Sequence, residues 1–169
     1  MGLRVLIKKS IILIMALSLS ACGYHLRGAL QLPAGLKNVY LEGGSPELRE
    51  HFKRTMEISS VPLASSPETA GLIVKISDED SQRRVLSLNS GGTANDFELG
   101  YRFNYEIVDS KNKVLSERQS VEIKREYYND QLAIIAKDNE ELVIRNEMYQ
   151  QAVRNIVNHA RVALGASPK

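Results

Sequence analysis

The chain has 169 residues, of which 22 are lysine or arginine, 20 are aspartate or glutamate and one is cysteine. The first 21 residues hold three of the basic residues and none of the acidic ones, so the remainder carries 19 basic against 20 acidic side chains and a formal charge of −1. This balance excludes a global electrostatic attraction to nucleic acid. A single cysteine excludes an internal disulfide framework.

The N-terminal segment has the pattern of a bacterial lipoprotein signal peptide. Basic residues within 4–9 precede an apolar run at 11–19, which is too short to span a bilayer. The run ends in the lipobox Leu19-Ser20-Ala21-Cys22, which predicts cleavage before Cys22 and attachment of diacylglycerol to its thiol. Burial of acyl methylenes at ~0.8 kcal/mol each then anchors the chain to a membrane. Gly23 after the cysteine favours the outer membrane, at its periplasmic face.

The first predicted elements of the folded part are a short strand and a helix. Residues 38–42 form an apolar-centred run closed by two glycines, which predicts a strand. Ser45 has the features of a helix N-cap, with proline at the first helical position. The helix is predicted over about 46–59, where four-residue spacing places three apolar side chains on one face: Leu48, Phe52 and Met56.

Three long strands are predicted next, joined by polar turns. The second strand runs from Leu72 to about Leu88 and is followed by a turn at 89–93. The fourth runs from Val114 to Tyr128. Between them, the third strand carries an apolar or aromatic side chain at every second position: Phe97, Leu99, Tyr101, Phe103, Tyr105 and Ile107. Strands joined by short turns in this way predict an antiparallel meander.

The last predicted element is a helix with Asp138 as its N-cap and Glu141 three residues later, close to a capping box. Apolar residues from 149 to 164 recur at helical spacing, and Gly165 marks the stop. The order β-α-β-β-β-α with one-sided apolar faces predicts an α+β fold. We expect an α/β sandwich, with two helices packed on one face of a four-stranded, mainly antiparallel sheet.

This order also predicts the domain organisation. A signal peptide occupies residues 1–21 and a lipidated segment residues 22–37. A single α/β domain at 38–165 and a short tail at 166–169 complete the chain.

The sequence carries no recognisable catalytic motif, because nucleophile-elbow, P-loop and dinucleotide-binding patterns are absent. His25, His51 and His159 are far apart and lack metal-ligand spacing. The acidic runs at 78–80 and 140–141 are predicted to be solvated, without partners that shift their pKa values. We therefore expect a protein that is not an enzyme and uses no metal or cofactor.

Basic residues nevertheless cluster locally. They comprise Arg83-Arg84 on the second strand, Arg102 on the third, Lys124-Arg125 on the fourth, and Lys137 just before the last helix. One interpretation is that charge on exposed strand faces prevents edge aggregation. The other is a basic tip that binds an anionic lipid headgroup through charge-assisted hydrogen bonds.

Three blocks of sequence resemble the LptE family of lipopolysaccharide-assembly lipoproteins. They are Cys-Gly-Tyr-His-Leu-Arg at 22–27, Ala-Lys-Asp-Asn-Glu at 136–140, and Asn-Glu-Met-Tyr at 146–149. The resemblance implies a non-enzymatic subunit of the outer-membrane lipopolysaccharide translocon. Such a subunit plugs the β-barrel LptD, assists its assembly and binds lipopolysaccharide.

The resemblance also implies lipid-contacting residues. Lys137 matches the family's second block directly. The loop at 89–94 departs from the family pattern because it carries no positive charge, so Arg83 and Arg84 on the adjoining strand are the expected source of charge there.

Two other functions stay open at this level. One is a free-standing lipoprotein that binds a small apolar ligand between the sheet and the helices. The other is an envelope hydrolase, although no nucleophile motif supports it.

Overall fold

The computed structural model describes residues 37–128 and 134–165. The elements follow the predicted order: β1 (Val39–Glu42), α1 (Pro46–Ile58), β2 (Leu72–Leu88), β3 (Ala94–Val108), β4 (Val114–Tyr128) and α2 (Ile134–Ala163). A short 3-10 turn at Pro67–Thr69 precedes β2. The predicted α+β class, with two helices and a four-stranded sheet, is confirmed.

The sheet has the order β1-β2-β3-β4. β2, β3 and β4 form the predicted antiparallel meander, whereas β1 runs parallel to β2, with Val39 opposite Leu72. A helical crossover between β1 and β2 produces this parallel pair, because α1 returns the chain to the end of the sheet where β1 began. β1 pairs only with residues 72–75 of β2. Most of β2 therefore has β3 as its single neighbour among the described strands.

Helix α1 begins as its sequence predicts. The Ser45 side chain accepts a hydrogen bond from the backbone N–H of Leu48 at 3.2 Å, which satisfies one of the free donors at the helix start. Pro46 occupies the first turn, where a missing N–H costs nothing. The three apolar side chains predicted for its inner face, Leu48, Phe52 and Met56, are all buried.

The main core lies between the helices and one face of the sheet. The alternating residues of β3 form its floor, from Phe97 to Ile107, and all six are buried. Side chains of both helices cover them, including Phe52 from α1 and Val153 and Ile156 from α2. Both helices thus pack on the same face of the sheet, as predicted.

Helix α2 begins earlier than predicted. It starts at Ile134, so the prediction of Asp138 as its N-cap is wrong and Lys137 lies within the first turn instead of before it. The reason is local, because the Ile-Ile-Ala-Lys run at 134–137 contains no helix breaker and includes strong helix formers. The end is as predicted, with Gly165 at φ +74° just beyond the last turn. Within the described ranges, neither helix combines the length and the apolar character needed to cross a membrane.

Hydrogen bonds of His159 connect the C-terminal half of α2 to the sheet. Its Nδ1 lies 2.9 Å from the Tyr105 hydroxyl on β3, and its Nε2 lies 2.9 Å from Ser116 Oγ on β4. Both partners are hydroxyls, so either ring tautomer finds a donor and an acceptor. Burial raises the pKa of Tyr105 to about 12, which keeps this phenol protonated.

Candidate functional site

Two of the basic residues predicted from the sequence, Arg83 and Arg84, lie on β2 toward the end of the sheet where β2 turns into β3, which we call the hairpin end. The turn at 89–93 is closed by Asn89, whose side-chain oxygen accepts from the N–H groups of Gly91 and Thr93 at 2.9 and 3.1 Å. The final residues of β4 and the N-terminal half of α2 adjoin the same end, since Tyr127 on β4 contacts Glu141 on α2.

Arg83 faces the helices. Its Nη1 lies 3.0 Å from Glu141 Oε2 on α2, and its guanidinium carbon lies 4.1 Å from the centre of the Phe97 ring on β3. The side chain nevertheless remains 47% exposed. Arg83 therefore links three elements and still presents a cation to solvent.

Arg84 faces the opposite, helix-free side of the sheet, because successive strand residues point to opposite faces. Its Nε lies 2.6 Å from Oε1 of Glu98, a carboxylate only 6% exposed. The hydrogen bond and charge of Arg84 hold the pKa of Glu98 below its usual value. The structure therefore does not bring Arg83 and Arg84 together into one patch.

The remaining predicted bases are distributed as follows. Arg102 pairs with Asp80 at 3.1 Å, and Lys124 pairs with Glu122 at 2.6 Å, both on the helix-free face. Arg125 donates to the side chain of Gln151 on α2. The side chain of Lys137 and the whole of Cys22 lie outside the described residues.

Glu141 is the centre of a network that sequence analysis missed. It accepts hydrogen bonds from the Tyr127 hydroxyl at 2.5 Å and from Arg145 Nε at 2.8 Å, in addition to Arg83. Its side chain is 17% exposed, so the prediction that 140–141 is a solvated pair is wrong for Glu141. Burial alone would raise the pKa of Glu141, but the bonds from Tyr127 and Arg145 outweigh it and hold the pKa below its usual value. Burial, aided by the bond to Glu141, raises the pKa of Tyr127 to about 12.

We expect the fold to become less stable in acid, because the stabilising contribution of Glu141 is lost there. Its pKa is lower in the folded than in the unfolded chain, where it is about 4.3, so the unfolded chain binds more protons as the pH falls. The stabilisation is fully present well above about pH 4.3 and is lost as the pH falls through the folded pKa. In urea unfolding, Glu141→Gln should destabilise the protein at pH 7 and differ less from wild type at about pH 3. An equal difference at both pH values would contradict this assignment.

Apolar side chains accompany the cations at the hairpin end. Val85, Leu86 and Leu88 on β2 are 40% to 63% exposed, and Tyr128 at the end of β4 is 55% exposed. Leu142 and Val143 on α2, next to Glu141, are also exposed. Monomeric soluble domains rarely expose such groups together, so this end has the character of a binding surface.

Among the described residues, the cavity between the sheet and the helices is small. The cavity lined by residues such as Val39, Phe52 and Ile156 measures only about 10 Å³, which is too small for an organic ligand. A larger cavity of about 260 Å³ lies around Asp78, Arg102 and Asn104. It is lined mainly by polar side chains, so it does not suit an apolar ligand. Two other hollows, of about 190 and 360 Å³, lie beside α1 and include the apolar side chains of Leu41, Val61 and Leu63.

The sequence of this chain matches a protein-family model and named relatives from other bacteria. The family model described as "LptE: Lipopolysaccharide-assembly" matches residues 36–160. The LPS-assembly lipoprotein LptE of Photorhabdus laumondii is 26% identical over 140 residues, which cover 82% of this chain and 76% of that protein. The protein of the same name from Pectobacterium atrosepticum is 24% identical over 141 residues, with coverage of 82% and 76%.

Solved structures share the fold. The solution structure of the uncharacterized lipoprotein B from Nitrosomonas europaea superposes with a TM-score of 0.69 at 24% identity, covering 85% of this chain and 94% of that one. The crystal structure of the rare lipoprotein B from Shewanella oneidensis gives a TM-score of 0.59 at 20% identity, with coverage of 72% and 92%. The family model spans well over half of the chain, and the chain belongs to the LptE family of lipopolysaccharide assembly.

Proposed function

We propose that this chain is a non-enzymatic outer-membrane lipoprotein that helps to assemble and plug the LptD β-barrel and binds lipopolysaccharide. The match of the LptE family model to residues 36–160 is the observation that carries the proposal. The lipobox ending at Cys22 supplies the membrane tether, since a diacylglycerol group and a further acyl chain together give stable anchoring.

The packing of the sandwich supports the plug role. Among the described residues, the cavity between the sheet and the helices measures only about 10 Å³, so this part of the core is tightly packed. Next to β1, the helix-free face of the sheet carries a small apolar cluster that includes Ile73 and Val108. Farther along, it carries paired charges, such as Arg102 with Asp80 and Arg84 with Glu98. A rigid body with a polar face fits the wide, polar lumen of a large barrel, and its interface would have the large size of an obligate complex.

The hairpin end supports lipopolysaccharide contact. Arg83 presents a half-exposed cation beside the exposed side chains of Val85 and Leu88. Lipopolysaccharide carries anionic groups next to acyl chains, so it requires cations and apolar groups side by side. Lys137, which lies in the first turn of α2, would add a second cation at the same end.

Depletion of the lipoprotein tests the assembly role. We expect cells depleted of the full-length protein to contain less correctly assembled barrel in their outer membranes, and the tagged protein to co-purify with LptD from outer membranes of undepleted cells. Barrel assembly that continues unchanged after depletion would contradict the proposal. Recovery of the mature protein in the soluble periplasm, without a barrel, would also contradict it.

Substitution of the two cations tests the lipid contact. Each charge-assisted bond contributes about 1.5–3 kcal/mol, so Lys137→Asp and Arg83→Gln should each weaken lipopolysaccharide binding by about tenfold or more. Lys53→Asp, an exposed lysine on α1, is the matched control and should bind as wild type. Circular dichroism checks that each variant is folded. Full binding by both Lys137→Asp and Arg83→Gln would remove these residues from the site.

A further inference from the structure

Three side chains converge on the carboxylate of Glu141, and two of them are cations. Arg145 lies one turn later on α2 and donates to Glu141 Oε1 from both Nε and Nη2, each at 2.8 Å. Arg83 donates to Oε2 from Nη1 alone, at 3.0 Å. Tyr127 donates its hydroxyl, and its pKa of about 12 keeps it uncharged at neutral pH. These four side chains therefore combine two guanidinium charges with one carboxylate charge.

The two arginines differ in how their other N–H groups are used. The third nitrogen of Arg145, Nη1, donates to Ser81 Oγ on β2 at 3.0 Å, so all three nitrogens of Arg145 are bonded within the domain. Among the described residues, Nε and Nη2 of Arg83 have no hydrogen-bond partner, and the side chain is 47% exposed. Arg145 therefore neutralises Glu141, and Arg83 supplies the surplus positive charge at the surface.

The guanidinium of Arg83 is held in one orientation. Its central carbon lies 4.1 Å from the centre of the Phe97 ring, and that ring stacks on Tyr127 with 5.5 Å between the ring centres. An arginine that is already fixed by an aromatic ring and a carboxylate loses less side-chain entropy when it binds a ligand. Its Nε and Nη2 form one fork of the guanidinium, and such a fork fits a phosphate group, which accepts two parallel hydrogen bonds.

We propose that Arg145 is a positioning residue for lipopolysaccharide binding, which neutralises Glu141 and so leaves the Nε and Nη2 fork of Arg83 for a phosphate group of the lipid. This inference rests on the proposed function and names the chemical group that Arg83 binds. Arg145 acts through Glu141 and does not itself contact the lipid. Without Arg145, the negative charge of Glu141 would be shared with Arg83 alone and would repel the incoming phosphate.

Lipopolysaccharide binding by the full-length lipoprotein tests the role of Arg145. Arg145→Gln should weaken binding about threefold to tenfold, because it leaves Glu141 uncompensated close to the phosphate. Arg145→Lys keeps the positive charge and should bind more tightly than Arg145→Gln. Full binding by Arg145→Gln, or equal weakening by both variants, would overturn the inference.

Arg154→Gln is the matched control, since it removes the same charge from the same helix. Nine helical residues separate the two arginines, or about 13 Å along the axis. This distance exceeds the Debye length of about 8 Å at physiological ionic strength, so Arg154→Gln should bind as wild type. Weakening as large as that of Arg145→Gln would mean that only the total charge matters, and would overturn the inference.

A second substitution at Glu141 separates the effect of charge from the effect of structure. The double variant Glu141→Gln with Arg145→Gln should regain about the wild-type affinity, because it removes the carboxylate that Arg145 neutralises. A merely structural role predicts the opposite, since the double variant lacks more of the bonds between α2 and the sheet. Circular dichroism at the assay temperature checks that the variants are folded. A double variant that binds as weakly as Arg145→Gln would overturn the inference.

Glu141→Gln alone gives a test that does not depend on the folding of Arg145→Gln. It keeps an oxygen that accepts from Arg83 and removes the opposing charge, so it should bind lipopolysaccharide at least as tightly as wild type. Weaker binding by Glu141→Gln would overturn the inference.

Lipopolysaccharide stripped of its phosphates identifies the bound group. With this probe, Arg145→Gln and wild type should bind equally, because the group that Glu141 repels is gone. A loss as large as that seen with intact lipopolysaccharide would overturn the assignment of the phosphate.

The outcomes separate this inference from the proposed function. Absence of lipopolysaccharide binding by the wild-type protein would overturn the proposed lipid contact and this inference with it. Binding that Arg83→Gln weakens and Arg145→Gln leaves unchanged would overturn this inference alone.

Discussion

Replacement of Gly43 by alanine should destabilise the fold by about 2–5 kcal/mol, as measured by urea or thermal unfolding. Gly43 has φ +80°, a conformation that costs an alanine about 1–2 kcal/mol. A Cβ built at this position lies 2.6 Å from the carbonyl oxygen of Ile76 on β2, a distance that forces the backbone to move. Displacing packed structure in this way costs about 1–3 kcal/mol more.

Gly92 provides the matched control, because it has almost the same backbone conformation without the close neighbour. Its φ is +78°, and no heavy atom lies within 4 Å of a Cβ built there. Gly92→Ala should therefore lower the free energy of unfolding only by the conformational cost of about 1–2 kcal/mol. The difference between the two variants measures the close approach of the β1-α1 turn to β2. Equal losses would show that this approach contributes nothing to stability.

This turn illustrates what could be predicted from the sequence. The glycine pair and Ser45 correctly predicted the end of β1 and the start of α1, because both signals act within a few residues. The contact of Gly43 with Ile76 joins residues 33 positions apart and leaves no local pattern. Periodicity likewise predicted the core face of β3 from Phe97 to Ile107, since alternation alone decides which side is buried.

The sequence predicts which basic residues belong to the candidate site, but only partly how the fold arranges them. Arg83 and Arg84 were recognised as a basic pair, yet a strand sends adjacent side chains to opposite faces and each pairs with its own carboxylate. The partners, Glu98 and Glu141, come from other elements, so no spacing along the chain reveals them. The start of α2 at Ile134 was missed because Asp138 offered a stronger capping signal than the unbroken helix formers before it.

Glu79 shows most clearly how a tertiary contact overrides a local pattern. The acidic run 78–80 was predicted to be solvated, but an irregularity in β2, with Asp78 at φ +52°, directs Glu79 toward the helix side. Its Oε2 accepts the backbone N–H of Ser45 at 2.5 Å. Its Oε1 accepts the hydroxyls of Ser45 and Tyr101, each at 2.7 Å. The carboxylate therefore holds the start of α1 against the middle of the sheet.

Glu79→Ala should destabilise the protein by about 3 kcal/mol or more, because hydrogen bonds to a charged group contribute about 1.5–3 kcal/mol each. The Tyr101 hydroxyl, on a residue only 2% exposed, would lose its acceptor. Burial, together with the bond to Glu79, already raises the pKa of Tyr101, so ionisation offers no relief. Urea unfolding at neutral pH measures the loss.

Two further variants show whether the loss of stability comes from the broken hydrogen bonds of Glu79 or only from the removal of a negative charge. Asp80→Ala removes the neighbouring carboxylate, whose pair with Arg102 is exposed, and should cost less than about 1 kcal/mol. Tyr101→Phe should lower the stability much less in the Glu79→Ala background than in wild type. In that background the Tyr101 hydroxyl has already lost its acceptor, so its removal breaks no hydrogen bond. Additive losses would mean that Tyr101 finds another acceptor. Equal losses from Glu79→Ala and Asp80→Ala would mean that the helix start is held by packing of Leu48, Phe52 and Met56 alone.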